Sequence, residues 1–132
     1  MLEDYVVIDL EMTGLNPKTD KILELAAVRV RGGAEKETFS VLVNPQVPIS
    51  QKITELTGIT AEEAAKGVLA DPAIEDFLEF LGKDVLVGQN VIFDYSFLKQ
   101  WAVNHKRLLE KKAIDTLKLA RMFLPAEQKK DL

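Results

Sequence analysis

The sequence of 132 residues contains no cysteine and a single histidine, His105. Because thiols are absent, disulfides and thiolate metal sites are excluded, and a metal ion would have to be held by carboxylates, carbonyl groups, water or that histidine. Oxygen ligands favour hard divalent cations such as Mg²⁺ and Mn²⁺. The composition therefore restricts any metal chemistry to an oxygen-rich site.

Long apolar runs, a basic leader and an excess of basic charge are also missing. No apolar stretch approaches membrane-spanning length, so we expect a cytoplasmic protein without a membrane partner. The formal net charge of −4 argues against gripping nucleic acid by bulk electrostatics. An enzyme that places bound cations at a phosphate does not need a basic surface. The hydrophobic content of 47% is enough for one packed core, which predicts a single globular domain.

The apolar pattern predicts five strands. The first is almost continuously apolar, as in a strand covered on both faces, and Asp9 is its exception. Gly32 and Gly33 supply a hairpin turn between the second and third strands, so the first three form a meander. The predicted strands are residues 5–10, 22–31, 38–43, 85–87 and 113–116. Because later strands alternate with helices, the fold class is α/β with a mixed five-stranded sheet flanked by helices.

The predicted helices are marked by capping residues and by apolar spacing. Capping patterns place helices from Ser50 to Gly58, after Thr60 with Glu63, and from Asp71-Pro72 to Gly82. The next helix has a predicted buried stripe of Phe97, Leu98, Trp101, Ala102 and Leu108. Residues 117–123 are predicted to form a last helix.

Two acidic residues close to the end of the first strand are candidate metal ligands. Asp9 and Glu11 are two apart in a strand, so they project from the same face at about 7 Å along the chain. Unpaired carboxylates at the end of a buried strand cost several kcal/mol, roughly, unless metal or water compensates. The alternative is that both simply end the strand in solvent, which is the commoner outcome for an isolated Asp-x-Glu pair.

A third acid, Asp94, is also open to two interpretations. In the first turn of its helix, a carboxylate complements the helix dipole without any catalytic role. If the fourth strand lies beside the first, however, Asp94 joins Asp9 and Glu11 where open α/β sheets place their sites. His105 is about 16 Å along the helix from Asp94 and is interpreted as structural or surface.

Two segments resemble the motifs of a known enzyme family: residues 7–15 (VIDLEMTGL) and 86–94 (LVGQNVIFD). Supporting matches are residues 43–45, 53–60 and 114–117. Together they resemble the DEDD superfamily of 3′→5′ exonucleases, and most closely its histidine branch, which includes the epsilon proofreading subunit of bacterial DNA polymerase III. The resemblance runs from Tyr5 to about Pro125 and implies a ribonuclease-H-like sheet with the first strand central.

The resemblance implies a role for each acid. Asp9 would bridge two ions of Mg²⁺ or Mn²⁺, Glu11 would bind the ion that activates the attacking water, and Asp94 would hold the second ion. Such a pair of ions stabilises the attacking and leaving oxygens of a phosphodiester. The residues implied to contact the terminal nucleotide are Thr13, Gly14, Leu15, Asn90 and Phe93, with Thr57 and Ile59 as weaker candidates.

One family feature has no counterpart in the sequence. The histidine branch carries a third motif, with a catalytic histidine and a fourth metal-binding aspartate, and residues 1–132 contain nothing that corresponds to it. We therefore expect a single domain over residues 1–132 that is truncated at its C-terminus and lacks the C-terminal helices. Its metal site would be incomplete, so we expect a weak or inactive nuclease.

The expected activity is a metal-dependent 3′→5′ exonuclease that releases nucleoside monophosphates from a single-stranded DNA 3′ end in proofreading or repair. A DNA polymerase subunit, or a fused polymerase or helicase domain, is the expected protein partner. Two alternatives remain open. One is an RNA-trimming exonuclease that uses the same acids, and the other is a catalytically inactive module that binds nucleic acid or a polymerase.

Overall fold

The computed structural model describes residues 2–116, in which strands and helices follow one another as the alternation predicts. The strands are β1 (Tyr5–Met12), β2 (Ile22–Arg31), β3 (Ala34–Asn44), β4 (Val68–Leu69), β5 (Leu86–Gly88) and β6 (Ala113–Asp115). The helices are α1 (Gln51–Thr57), α2 (Ala61–Ala65), α3 (Ala70–Leu81) and α4 (Val91–Asn104). The predicted helix at residues 117–123 lies outside the described residues.

Strands β1, β2 and β3 form the predicted antiparallel meander. Tyr5 pairs with Val30 and Glu11 with Glu24 across β1 and β2. The β2–β3 turn contains Gly32 and Gly33 at φ of 58° and 77°. Glycine occupies this left-handed region without the steric penalty of a Cβ, so the two glycines suit the tight turn that the sequence predicts.

The sheet continues on the other side of β1 with parallel strands. β5 pairs in parallel with β1, β6 pairs in parallel with β5, and the strand order is β4-β3-β2-β1-β5-β6. The mixed α/β architecture is therefore confirmed, with β1 inside the sheet. The sheet has six strands rather than the predicted five, because the two-residue strand β4 adds to the edge of β3. A segment this short and exposed carries no readable apolar alternation.

The main core lies between the sheet and helices α3 and α4. Its fully buried members include Val6 and Ile8 of β1, Phe77 of α3 and Leu98 of α4. A smaller cluster of Leu23, Ile59 and Ala64 packs beneath α1 and α2. Within residues 2–116, no helix combines the length and apolar character needed to cross a membrane.

Two details of the predicted helices are wrong. The N-cap of α3 is Leu69 rather than Asp71, which lies in the first turn. Leu108 is 85% exposed and is not part of the buried stripe, because α4 already ends at Asn104. The predicted caps of the short helices are confirmed: Ser50 and Gly58 bracket α1, while Thr60 and Glu63 form the capping box of α2.

Candidate active site

Strand β1 carries Asp9 and Glu11 to the end that adjoins the turn into β2. In this strand the buried residues alternate with less buried ones, so Ile8 and Leu10 enter the core while Asp9 is exposed and Glu11 half-buried. The two acids therefore project from the face opposite to the main core, as the two-residue period requires. On β2, Glu24 is paired directly with Glu11, which sets two like charges across neighbouring strands.

Helix α4 brings the third acid to the same strand. Because β5 is parallel to β1, the connection after β5 emerges beside the carboxyl end of β1. Asp94 is in the first turn of α4 and is only 6% exposed. Its Oδ2 accepts a hydrogen bond of 3.1 Å from the backbone N–H of Leu10, the residue between Asp9 and Glu11. Asp94 is thus joined to the centre of the acidic pair.

The close approach of β5 to β1 depends on Gly88. A Cβ built at this position would lie 2.7 Å from the carbonyl oxygen of Ile8, which is closer than real Cβ contacts allow. The atom that it would meet is backbone in the middle of a sheet, so it cannot move aside cheaply. Asn90, at φ of 55° and ψ of 38°, then turns the chain into α4. A left-handed conformation is uncommon for residues other than glycine, although asparagine tolerates it better than most.

Burial and like charge shift the proton affinities of two of the acids. Burial raises the pKa of Asp94 from its ordinary 3.8 to about 7; the Leu10 N–H lowers it, and the charges of Asp9 and Glu11 raise it further. Burial also raises the pKa of Glu11, with further contributions from Asp9 and Glu24. A site where carboxylates raise one another's pKa holds repulsion that a divalent cation would relieve.

The donor chemistry of these acids fits a hard divalent cation, since all three side chains offer oxygen ligands. Their spacing is more open than a closed metal site. Within residues 2–116, no group of three histidine, cysteine, aspartate or glutamate side chains is close enough to surround a metal ion. For the three acids to share a bound cation, their carboxyl groups would have to come closer together than they are in this structure.

A groove of about 590 Å³ brings most of the predicted site residues together. Its volume is within the range typical of small-molecule sites. Predicted residues in its lining are Asp9, Glu11, Gly14, Leu15, Thr57, Asn90, Phe93 and Asp94. The sequence motifs thus converge on one surface, although they come from opposite ends of the described chain.

Two predicted contact residues are not in the groove lining. Thr13 pairs with Lys21 instead: its N–H donates to the Lys21 carbonyl at 2.8 Å, and its Oγ1 accepts from the Lys21 N–H at 2.9 Å. These bonds close the loop that carries Leu15 to the groove. Ile59 is 6% exposed and lies in the smaller core cluster.

The loop after β1 and the first turns of α4 shape the groove. Leu15 is 81% exposed and lies in the groove lining. The loop is held by Asp20, whose Oδ2 accepts from the Asn16 N–H at 2.9 Å. Phe93 packs edge-on against Phe97 with ring centroids 5.3 Å apart, which orients its ring at the groove. Leu15 and Phe93 therefore offer apolar surface suited to a nucleobase.

Sequence reasoning named only Thr57 of α1, as a weaker contact candidate, and missed the other α1 residues of the groove. Lys52, Ile53 and Leu56 line it together with Thr57. The signal was present in the apolar Leu56, which has no core role and is 71% exposed. Apolar spacing alone, however, does not connect Lys52, Ile53 and Leu56 to residues some forty positions earlier in the chain.

His105 is placed away from the acids, as predicted. Its Nδ1 is 2.8 Å from the Trp101 carbonyl and its Nε2 is 3.1 Å from Oδ1 of Asp71. Both ring nitrogens face acceptors, so the imidazolium satisfies both contacts. The Trp101 carbonyl raises the pKa of His105, and the hydrogen bond and charge of Asp71 raise it further. His105 therefore joins α4 to α3 and does not face the groove with the acids.

The fold and the acidic groove define a nuclease of the ribonuclease-H-like kind, and comparison with known proteins agrees. The RNase_T family, described as exonuclease, matches residues 6–132. The chain belongs to this exonuclease family, which confirms the resemblance stated from the two motifs.

Curated relatives of the chain include proteins named DNA polymerase III PolC-type. Over 128 residues, 45% are identical to DNA polymerase III PolC-type of Bacillus subtilis, and over 123 residues, 40% are identical to the PolC-type enzyme of Clostridium perfringens. Each match covers 93% of this chain but only 9% and 8% of the respective relative. The chain therefore spans less than a tenth of the length of these relatives.

Solved structures share the fold at low sequence identity. The exonuclease I of an ExoI/SSB-Ct complex superposes with a TM-score of 0.76 at 19% identity, covering 92% of this chain and 30% of the other. Exonuclease I from Methylocaldum szegediense gives 0.75 at 20% identity, covering 92% and 29%. At these identities the likeness concerns the fold.

Proposed function

We propose that the chain is a metal-dependent 3′→5′ exonuclease that releases nucleoside monophosphates from single-stranded DNA. The observation that carries this proposal is the groove in which Asp9, Glu11 and Asp94 meet, with Asp94 bonded to the strand that holds the other two. The relatives named as DNA polymerase III support DNA as substrate and a polymerase as partner, in proofreading or repair.

In this proposal the three acids hold Mg²⁺ or Mn²⁺, at two positions. When bound, such ions supply charge stabilisation at the phosphodiester and a more acidic water. The remaining groove residues position the strand. Leu15 and Phe93 receive the terminal base, while Gly14 and Asn90 shape the backbone around it. The strand end is thereby oriented with its last phosphodiester at the acids.

Among the described groove residues there is no histidine, and the carboxylates that could act as a base are the ones that the proposal assigns to the metal ions. The single histidine is held by Asp71 and Trp101 elsewhere on the surface. We therefore propose that cleavage by the described groove residues is slow, since proton transfer by a dedicated positioned group contributes about 10²–10⁴-fold in rate. Mn²⁺ and long incubations are the conditions of choice for detecting the activity.

The test compares Asp9→Asn with wild type on a DNA oligonucleotide labelled at either end. Release of nucleoside monophosphate in Mn²⁺ should fall by about 100-fold or more, the order seen when one charge-stabilising group is removed from an active site. The matched control is Asp76→Asn, an exposed acid on α3 outside the groove, which should cleave like wild type.

Each result decides one part of the proposal. Monophosphates released first from the 3′-labelled end support the direction, whereas release from the 5′ end refutes it. Equal rates for Asp9→Asn and wild type would refute the metal-site assignment. Faster cleavage of a matched RNA would make the chain an RNA-trimming enzyme, and tight binding without any cleavage would make it a binding module.

A further inference from the structure

Helix α1 forms a separate wall of the acidic groove and carries its cationic side chain. Of the described residues in the groove lining, the acids come from β1 and α4, whereas Lys52, Ile53, Leu56 and Thr57 come from α1. Lys52 is exposed, and none of the ion pairs found among residues 2–116 involves it. Its ammonium is therefore available to a ligand.

Bonds at both ends define the limits of α1, and Ile53 packs the helix against the smaller core cluster. Ser50 Oγ accepts from the Ile53 N–H at 3.2 Å, and Thr57 Oγ1 donates to the Ile53 carbonyl at 2.8 Å. Gly58 ends the helix at φ of 78°, and its N–H donates to the Thr54 carbonyl at 2.8 Å. The helix thus presents Lys52 from a fixed backbone, while its flexible stem allows the ammonium to follow a ligand.

The local structure does not favour a cation at this position. Lys52 is the second residue of α1, and the first turn contains no acidic residue. The partial positive charge of a helix N-terminus disfavours a cation there, so folding of α1 does not account for Lys52. A phosphate in the groove would offset that penalty by its attraction to the Lys52 ammonium.

Leu56 extends the wall by one turn. Residues four apart lie on the same face of a helix, about 6 Å apart along its axis. Leu56 is 71% exposed, so this face offers an apolar surface beside an ammonium. A nucleotide has the matching chemistry, with an apolar base face beside an anionic phosphate. The wall therefore complements one nucleotide of a strand rather than an isolated ion.

We propose that Lys52 binds the phosphate next to the scissile one on its 5′ side; this rests on the proposed exonuclease function. Asp9, Glu11 and Asp94 would hold cations that supply positive charge at the scissile phosphate, but these acids lie on the other walls of the groove. The neighbouring phosphate needs a positive group of its own, and α1 supplies one. Lys52 acts as a positioning residue that holds the strand in register.

The first test measures binding and turnover. For Lys52→Gln, Kd for a fluorescent single-stranded DNA 10-mer in Ca²⁺, and KM in Mn²⁺, should each rise about fivefold, the value of one exposed charge contact. The slope of log Kd against log salt should fall by about 0.7. Lys52→Arg should restore Kd and KM to their wild-type values. In Lys52→Gln, kcat should change by less than twofold. The control Lys36→Gln removes the same charge from β3, outside this groove, and should match wild type.

The second test locates the phosphate. A neutral methylphosphonate placed at each linkage in turn should weaken wild-type binding at the position 5′ of the scissile bond, and should have no further effect on Lys52→Gln there. Such non-additivity reports a direct interaction. Equal losses for both proteins at that linkage, or an unchanged Kd for Lys52→Gln, would overturn the proposal. If wild type cleaves normally in that case, the exonuclease function stands; if wild type neither binds nor cleaves, both proposals fall.

Discussion

The buried carboxyl of Asp94 predicts that this acid is held at the expense of stability. In the absence of a divalent cation, Asp94→Asn should be more stable than wild type near pH 8. The amide oxygen can still accept the hydrogen bond from the Leu10 N–H, whereas the charge that is repelled by Asp9 and Glu11 disappears. Stability and activity would then change in opposite directions, as is common where sites are built from strained groups.

The magnitude follows from the shift in proton affinity. Burial raises the pKa of Asp94 from 3.8 to about 7, and each factor of ten in affinity corresponds to about 1.4 kcal/mol. For a carboxyl group fully shielded from solvent, this shift would correspond to a loss of folding stability of about 4 kcal/mol above pH 7. Because Asp94 lines an open groove, solvent screens its charge, and we expect about 1–2 kcal/mol.

The direction of the pKa shift determines the pH range over which stability changes. Between about pH 4 and 7 the folded state binds a proton that the unfolded state has released, so wild-type stability falls as pH rises through that window. Asp94→Asn lacks this loss. Its advantage should therefore be small at pH 4, grow up to pH 7 and remain constant above it.

Urea unfolding in EDTA from pH 4 to 9 measures the difference directly. The control is Asp94→Ala, which also lacks the charge but leaves the buried Leu10 N–H without its acceptor, and it should be less stable than Asp94→Asn by about 1–3 kcal/mol. Adding Mn²⁺ at ten times its Kd should stabilise wild type alone, by about 1.4 kcal/mol. The reasoning is refuted if Asp94→Asn is no more stable than wild type at pH 8, or if its advantage does not depend on pH.

Three further changes test the surroundings of the site. Gly88→Ala should destabilise the fold by about 1–3 kcal/mol, because its Cβ would meet a β1 carbonyl oxygen, and should also reduce cleavage; urea unfolding showing no loss would contradict the close approach. His105→Gln should be less stable than wild type, and this difference should shrink as pH rises above 6.5, since the contact with Asp71 needs the imidazolium. A stability difference independent of pH would exclude a contribution from the charged His105–Asp71 contact. Glu24→Gln should lower the pKa of Glu11, which a carboxyl NMR titration measures, and an unmoved Glu11 signal would show that the cross-strand charge is screened.

Local signals in the sequence predicted local structure well. The limits of β2 are those predicted, and the capping residues of α1 and α2 act as predicted, because turns and caps depend on a few neighbouring residues. Strand β4 was missed since its two residues depend on pairing with β3 rather than on their own pattern. Asp71 was taken for an N-cap, but its carboxylate instead accepts from the Trp101 indole N–H at 2.9 Å.

The candidate site was predictable as a list of residues and not as an environment. Spacing alone placed Asp9 and Glu11 on one face, and the motifs pointed to Asp94. The hydrogen bond of Asp94 to Leu10 depends on the parallel pairing of β5 with β1, two strands that are far apart in the sequence. The role of α1, with Lys52, likewise arises from tertiary packing that periodicity does not encode.

The connection between β5 and α4 is only two residues long, Gln89 and Asn90. The position of Asp94 is therefore determined almost entirely by the position of β5, and the connection is too short to accommodate an added residue without moving α4. One residue inserted between Val91 and Asp94 would rotate the aspartate, with the rest of α4, by about 100° relative to Val91 and the β5 connection. All three acids would still be present in such a variant, but they would no longer share a groove.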